Sequence, residues 1–337
     1  MTFPDPTVRP EVLQTAALAR FPHRSFDDQF TVHRYWEIAD KEGFLAERGP
    51  SIRGMIAAGP LKIDRALLDR LPGLQIIANI GVGYDRIKIA AAAERGIIVT
   101  NTPDVLTEEV ADLTMGLLIS TIRRIPQANR FLLDGKWLAG GFPNSPTLRG
   151  RTVGILGLGR IGKAIARRLS GFEVTVVYTG RNRQEDVPLR YYPSLLDMAR
   201  DADVIIATLP GTDETQGLID AAVLEALGPQ GVLVNVARGS VVQQSALIKA
   251  LQDGTIEAAG LDVFVGEPNI PPELMEMENV VLTPHIGSAS MRTRMDMIEL
   301  LHDNLVSWFA GEGPRTPVAE TPWPRRELSA PCTEGHA

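Results

Sequence analysis

The stretch Val153-Gly-Ile-Leu-Gly-Leu-Gly-Arg-Ile-Gly162 constrains the fold of this chain more than any other. An apolar run, residues 153–156, leads straight into Gly157-x-Gly159-x-x-Gly162, and a helical pattern at 163–169 follows at once. Strand, glycine turn and helix in that order are the setting in which the motif signals a dinucleotide site. Gly157 permits the tight turn, Gly159 lets a pyrophosphate approach the backbone, and Gly162 lets the helix pack close to the strand. The helix N-terminus then offers unpaired N–H groups to the phosphates. Glycine turns also close ordinary strand–helix junctions, so the flanks carry the reading. The motif sits mid-chain rather than near the start.

The 337 residues suffice for two domains, each with its own core. A net charge of -7 and the lack of a basic stretch argue against nucleic acid as a partner. No apolar run is long enough to span a bilayer, and residues 1–6 lack the basic and apolar regions of a signal peptide. The single cysteine, Cys332, lies in a polar tail and can form neither an internal disulfide nor a metal cluster. The expectation is a cytoplasmic protein with no metal.

From the glycine motif onward, β-branched runs recur at 153–156, 174–178, 204–208, 232–236, 258–262 and 280–283, with helical stretches between them. Six strands alternating with helices predict a doubly wound parallel sheet, an α/β Rossmann arrangement. Earlier runs at 55–58, 75–79 and 97–100 predict a smaller α/β domain, while the first fifty residues give nothing usable. Residues 108–133 read as one long amphipathic segment, with Leu113, Leu117, Leu118 and Ile122 on a helical stripe. The loop at 139–146 reads as a linker or arm. Residues 295–309 form a returning helix, and the Pro- and charge-rich tail from 316 is expected to be disordered.

In open α/β sheets ligands bind beyond the carboxyl ends of the strands. There the chain places the glycine loop, Thr179-Gly-Arg-Asn-Arg183, Leu209-Pro-Gly-Thr212, Ala237-Arg-Gly-Ser240, Asp262 with Glu267, and Pro284-His-Ile-Gly-Ser288. One Arg, one Glu and one His thus fall on one edge beside the expected cofactor. Each alone reads as readily as a surface residue or an ordinary turn; their convergence carries the case. Carbonyl reduction by a nicotinamide needs a proton for the oxygen, and His285 can supply it near neutral pH. Glu267 would favour the protonated imidazole and fix the ring. Arg238 offers a planar fork to a carboxylate and to charge growing on oxygen. The implied substrate is a small 2-oxo acid.

NAD sites usually carry an acidic residue about 20 residues past the glycine motif, at the end of the second strand. Here that strand ends Val176-Val-Tyr-Thr-Gly-Arg181, with no acid in place. Arg181 and Arg183 are suited to a 2′-phosphate, with Thr179 or Asn182 adding hydrogen bonds. The expected cofactor is NADP(H), with NAD(H) possible; the alternative is surface arginines on a tolerant NAD site.

Over residues 50–315 the chain resembles the D-2-hydroxyacid dehydrogenases, in their glyoxylate/hydroxypyruvate reductase branch. The motifs are Asn79-Ile-Gly-Val-Gly-Tyr-Asp85, Val99-Thr-Asn-Thr-Pro-Asp-Val-Leu-Thr107, the glycine turn, Asn235-Val-Ala-Arg-Gly-Ser240, Gly260-Leu-Asp-Val-Phe264 with Glu267-Pro268, and Pro284-His-Ile-Gly-Ser-Ala289. The resemblance implies Arg238, Glu267 and His285 as a catalytic trio. It implies that Val82 and Gly83 offer N–H groups to the substrate carboxylate, with Ser288 and Trp137 near the substrate. It sets Thr107, Leu158, Arg160, Ile161, Leu209, Pro210, Thr215, Val236, Ala237, Asp262 and Gly287 along the cofactor, Asp262 by the nicotinamide carboxamide. It also implies a split substrate domain, flavodoxin-like, of residues 1–103 and 288–337, with the dinucleotide domain, 104–287, inserted. That accounts for the mid-chain motif. Relatives of this kind are homodimers joined through the cofactor domains, with 108–133 and the following loop as an arm and Trp137 reaching toward the partner.

Arg86-Ile-Lys88 departs from the Asn-Ile-Asp of many relatives, and Arg292 and Arg294 follow Ser288-Ala-Ser290 in the manner of the branch. The implied reactions are glyoxylate to glycolate and hydroxypyruvate to D-glycerate with NADPH. Rivals are reduction of hydroxyphenylpyruvate, oxidation of 3-phosphoglycerate, and a non-enzymatic dinucleotide-sensing protein of the same fold.

Overall fold

A computed structural model describes residues 9–18 and 25–323. The described residues divide into two compact units, one of those up to 105 together with those from 294 onward, the other of residues 106–293.

The first unit holds five parallel strands: β1 (Glu11–Gln14), β2 (Thr31–Arg34), β3 (Ile52–Ala57), β4 (Ile76–Asn79) and β5 (Ile98–Thr100). Their order, β2-β1-β3-β4-β5, is that of a flavodoxin-like sheet. Alternate residues of the strands feed the two faces, as a two-residue period requires. Leu13, Ile52, Met55, Ile77 and Val99 enter one apolar cluster. Val12, Ile56, Ile76 and Ile98 enter the other, with Ile298, Leu301, Leu305 and Trp308 of the helix Met291–Phe309. The pattern of β1 and β2 escapes a sequence reading because each is four residues long, with polar residues at its ends.

The expectation of a disordered tail fails for residues 316–323. Thr316 and Val318 hydrogen-bond backbone to backbone with Asn101 and Val99, and Thr100 pairs antiparallel with Pro317. Thr321 Oγ1 accepts from the Val99 N–H at 2.9 Å. The polar composition is deceptive because Val318 and Thr321 are buried and Trp323 packs edge-on against Trp308. The remaining tail, His23 and Cys332 lie outside the described residues.

The second unit carries β6 (Thr152–Leu156), β7 (Thr175–Thr179), β8 (Arg190–Tyr192), β9 (Val204–Ala207), β10 (Val232–Asn235), β11 (Ala258–Leu261) and β12 (Val280–Leu282), all parallel. The order is β12-β11-β10-β9-β6-β7-β8. Counted from its own first strand this is the 3-2-1-4-5-6 sequence of a dinucleotide-binding sheet, extended by one strand. The six expected strands are present. The seventh, β8, is an edge strand of Arg-Tyr-Tyr, too short to leave a pattern. The strand order reverses between β6 and β9, which opens the crevice where such folds bind ligands.

Apolar clusters cover both faces of this sheet. The helix Arg160–Leu169 turns Ala164, Ile165 and Leu169 inward; truncating the fully buried Ile165 to Ala would cost about 2–5 kcal/mol. The expected single segment at 108–133 is two helices, Thr107–Ile122 and Ile125–Leu133. They part at Arg124, whose φ is 52°, just before Pro126. A proline ring at that point is tolerated in a first turn but not in a helix interior. Among the described residues no helix is long and apolar enough to cross a membrane.

Candidate active site

The glycine turn joins three neighbouring strand ends. The Gly157 N–H donates to Thr179 O at the end of β7, and Thr208 Oγ1, just past β9, donates to Gly157 O at 2.5 Å. Gly157 has φ 98°, a conformation that disfavours any side chain, and a Cβ there would lie 3.1 Å from Leu209. A Cβ on Gly162 would strike the Gly157 carbonyl, which is why the helix can start this close to the strand. Gly159 faces open space, with nothing within 4 Å of where a Cβ would stand, and no side chain caps the helix that begins at Arg160. Bare backbone, free space and an uncapped helix start together suit a pyrophosphate.

Beyond β7, Thr179 is buried, so its side chain is withdrawn from the phosphate role considered for it. Arg181, Asn182 and Arg183 are exposed. Neither arginine has a hydrogen bond or ion pair among the described residues. Among the described residues no carboxylate stands at the strand end, which reads Thr179-Gly180. Glu214, in the loop after β9, titrates below the usual carboxylate range, chiefly because Thr212 donates to it, with a smaller contribution from Arg181. Thr215, expected along the cofactor, uses its hydroxyl to hold the same loop through Pro210 O at 2.7 Å. Leu209 is half-buried and Pro210 exposed.

The other end of the sheet edge carries the titratable groups. His285 Nδ1 lies 2.8 Å from Glu267 Oε2, and Glu267 Oε1 accepts from the Phe264 N–H at 2.9 Å. The imidazole is 46% exposed and its carboxylate partner 21%, so the ring is tethered on one side and open on the other. With Nδ1 held by Glu267, Nε2 is the ring nitrogen left to meet a ligand. His285 has φ 52°, rare for a residue with a Cβ and costing about 1–3 kcal/mol.

Asp262 supports that strained backbone. It is buried, and its carboxylate accepts from Thr283 Oγ1 at 2.6 Å, the Ile286 N–H at 2.8 Å and the Gly287 N–H at 2.9 Å. Its carbonyl also accepts from the His285 N–H. Both carboxylate oxygens of Asp262, a residue expected beside the nicotinamide, are thus engaged by the loop that carries His285, and the Gly287 N–H is in turn taken up by Asp262. Sequence reasoning missed this support, for which an acid at the end of an apolar strand is the only signal.

Arg238 follows β10 and is half-buried, its Cγ and Cβ lying against the position a Gly211 side chain would take. The buried Asn235 fixes its backbone, accepting from the Ala237 N–H and donating to Arg238 O, both at 3.0 Å. Gly239 is so close to the Phe264 backbone that a Cβ would collide with it. The Arg238, Glu267 and His285 loops therefore leave three adjacent strands, β10, β11 and β12, of one sheet. Val236 and Ser288 are half-buried on these loops, Ala237 is buried, and Thr107 opens the helix Thr107–Ile122. Trp137 is exposed.

In the first unit, the loop after β4 has its carbonyls tied inward. Asn101 Nδ2 donates to Val82 O at 2.9 Å and Asn79 Nδ2 to Gly83 O at 3.1 Å. The N–H groups of Val82 and Gly83 have no acceptor among the described residues. Arg86 donates to Gly59 O, which makes it a brace of its own loop. Arg294 is partly buried without a hydrogen bond or ion pair among the described residues, and burial pushes its pKa down.

Residues 115–287 match the model for the NAD-binding domain of D-isomer specific 2-hydroxyacid dehydrogenases. The chain belongs to the D-isomer specific 2-hydroxyacid dehydrogenase family, a family of oxidoreductases. Among its relatives is a glyoxylate/hydroxypyruvate reductase of Arabidopsis thaliana, 40% identical over 91% of this chain and 98% of that protein. A hydroxyphenylpyruvate reductase of Plectranthus scutellarioides is 39% identical over the same shares. Among solved structures, an NADPH-dependent glyoxylate/hydroxypyruvate reductase of Sinorhizobium meliloti, in complex with NADP and malonate, is 46% identical; the match has a TM-score of 0.86 and covers 95% of this chain and all of that one.

Proposed function

We propose that the chain reduces small 2-oxo acids with NADPH, taking glyoxylate to glycolate and hydroxypyruvate to D-glycerate. The observation that carries this reading is the His285–Glu267 pair, 2.8 Å apart, on a loop braced by Asp262 at the carboxyl edge of a dinucleotide sheet. When bound, the dihydronicotinamide supplies a hydride to the carbonyl carbon. His285 delivers the proton that the oxygen needs, so that aldehyde or ketone becomes alcohol and the cofactor leaves oxidised. Glu267 holds the ring through Nδ1 and so fixes its orientation. Arg238 grips the polarised oxygen and carboxylate. The free N–H groups of Val82 and Gly83 suit them to a carboxylate, the role the family resemblance gives them. The activities of these relatives support the substrate class.

The preference for NADPH is supported by the unpaired Arg181 and Arg183 and by the missing acid at the end of β7. A panel of glyoxylate, hydroxypyruvate, pyruvate and hydroxyphenylpyruvate against NADPH and NADH tests both readings. The highest kcat/KM is expected for the first two substrates with NADPH. A leading value for hydroxyphenylpyruvate would favour the second reading that the Plectranthus relative supports, and no turnover on any of them would sink the enzymatic reading.

The functional form we propose is a homodimer. Ile125, Leu132, Leu133, Trp137 and Leu138 are all exposed between 125 and 138, an apolar concentration unusual for a free surface. Light scattering after gel filtration should give twice the 36.6 kDa chain mass; a single-chain mass at micromolar concentration would refute it.

A further inference from the structure

The loop between β7 and β8 is polar and exposed at three consecutive positions, Arg181, Asn182 and Arg183. Such a loop left to itself would sample many conformations, and fixing each residue costs about 1–2 kcal/mol of backbone entropy. Here it is tied on both sides of the arginines. Tyr191 Oη donates to Gly180 O at 3.1 Å. The Gln184 N–H donates to Tyr178 Oη at 2.8 Å, and the Gln184 Nε2 donates to Leu158 O at 2.6 Å. Tyr178 is buried and its ring packs 5.3 Å from that of Tyr191, so both anchors rest on one aromatic pair.

Leu158 is the residue between Gly157 and Gly159. The Gln184 side chain therefore ties the loop bearing the two arginines to the very turn that receives a pyrophosphate. Its neighbour Asp186 adds only an exposed contact to Lys163 at 3.4 Å, of the kind that contributes little.

We propose that Gln184 is a positioning residue that couples the two phosphate subsites, setting the preference for a 2′-phosphorylated cofactor without touching the phosphate. This rests on the NADPH reading above. With the tie in place, Arg181 and Arg183 are held at a fixed reach from the glycine turn, and binding need not order them. Without it, the arginines keep their charge and lose their aim, so the 2′-phosphate is bound less well while the rest of the dinucleotide is not.

The test is a titration of the full chain with NADPH and with NADH, read by nicotinamide fluorescence, for wild type, Gln184→Leu, Tyr191→Phe and Arg181→Ala. Gln184→Leu should raise the Kd for NADPH about tenfold, the size of one well-made hydrogen bond, and leave that for NADH within about twofold. Tyr191→Phe should shift it the same way by a smaller factor. Added to Arg181→Ala, Gln184→Leu should have less effect on NADPH than alone, because the group it positions is gone. Equal weakening of both cofactors would make Gln184 a plain support of the glycine turn and overturn the coupling, as would an unchanged ratio or full additivity with Arg181→Ala. A wild type that binds NADH more tightly overturns the NADPH reading itself and the coupling with it, so the two failures are told apart. Thermal melts of each variant establish that the fold is retained.

Discussion

The two ends of the carboxyl edge of the seven-stranded sheet are built on opposite electrostatic plans. At the β12 end the protein supplies the counter-charge: His285 meets Glu267, and the loop beneath it is bound through three donors to Asp262. At the β7 end it builds in no such pair: among the described residues Arg181 and Arg183 have no ion pair, and Tyr178, Gln184 and Tyr191 hold their loop through uncharged hydrogen bonds. A proton donor must keep its aim through turnover, so the partner that orients it is built in. Cations meant for a ligand's phosphate gain most when the ligand brings the charge, because no internal pair has to be broken first.

The contrast can be broken at either end. The largest effect is expected for His285→Gln, which keeps the fold but cannot deliver the proton; kcat for glyoxylate should fall by at least about a hundredfold. Near-normal turnover would remove His285 from the chemistry. Next is Asp262→Ala, which leaves three donors without their acceptor. It should lower stability by about 1–3 kcal/mol in urea unfolding and reduce kcat with little change in the Kd for NADPH. A wild-type melt with full turnover would show that the His285 loop needs no brace. Arg181→Ala should act at the other end only, weakening NADPH about tenfold and sparing NADH and the saturated kcat. The smallest effect is that of salt. Between about 0.05 and 0.5 M the Kd for NADPH should rise several-fold while kcat at saturating cofactor changes little, since exposed phosphate contacts are screened and a hydrogen-bonded His–Glu pair is less so.

Much of this arrangement is legible in the chain because strand ends converge wherever a doubly wound sheet forms. Arg238, Glu267 and His285 are 29 and 18 residues apart in sequence, yet they follow β10, β11 and β12, which lie side by side. What stays hidden is the work of side chains on backbone. Nothing local distinguishes Asp262 as the brace of His285 from Asp262 as a ligand contact. Asn235 and Gln184 likewise act on atoms that only the folded chain brings near. Thr179 reads as an available hydroxyl until the strand is found to extend over it and bury it. The break at Arg124 is hidden by a stripe of apolar residues that continues across it, although Pro126 marks the place. The strands β1, β2 and β8 are shorter than the windows in which periodicity can be seen.

The segment from Thr316 to Thr321 lies along β5, the last strand of the five-stranded order. An uncovered edge strand is a template for pairing with another chain. These few residues, polar enough to be taken for a loose end, therefore act as a guard on solubility. Shortening the chain to end before Thr316 should leave the oxidoreductase sheet intact and turn the protein toward aggregation, while shortening it to Trp323 should not.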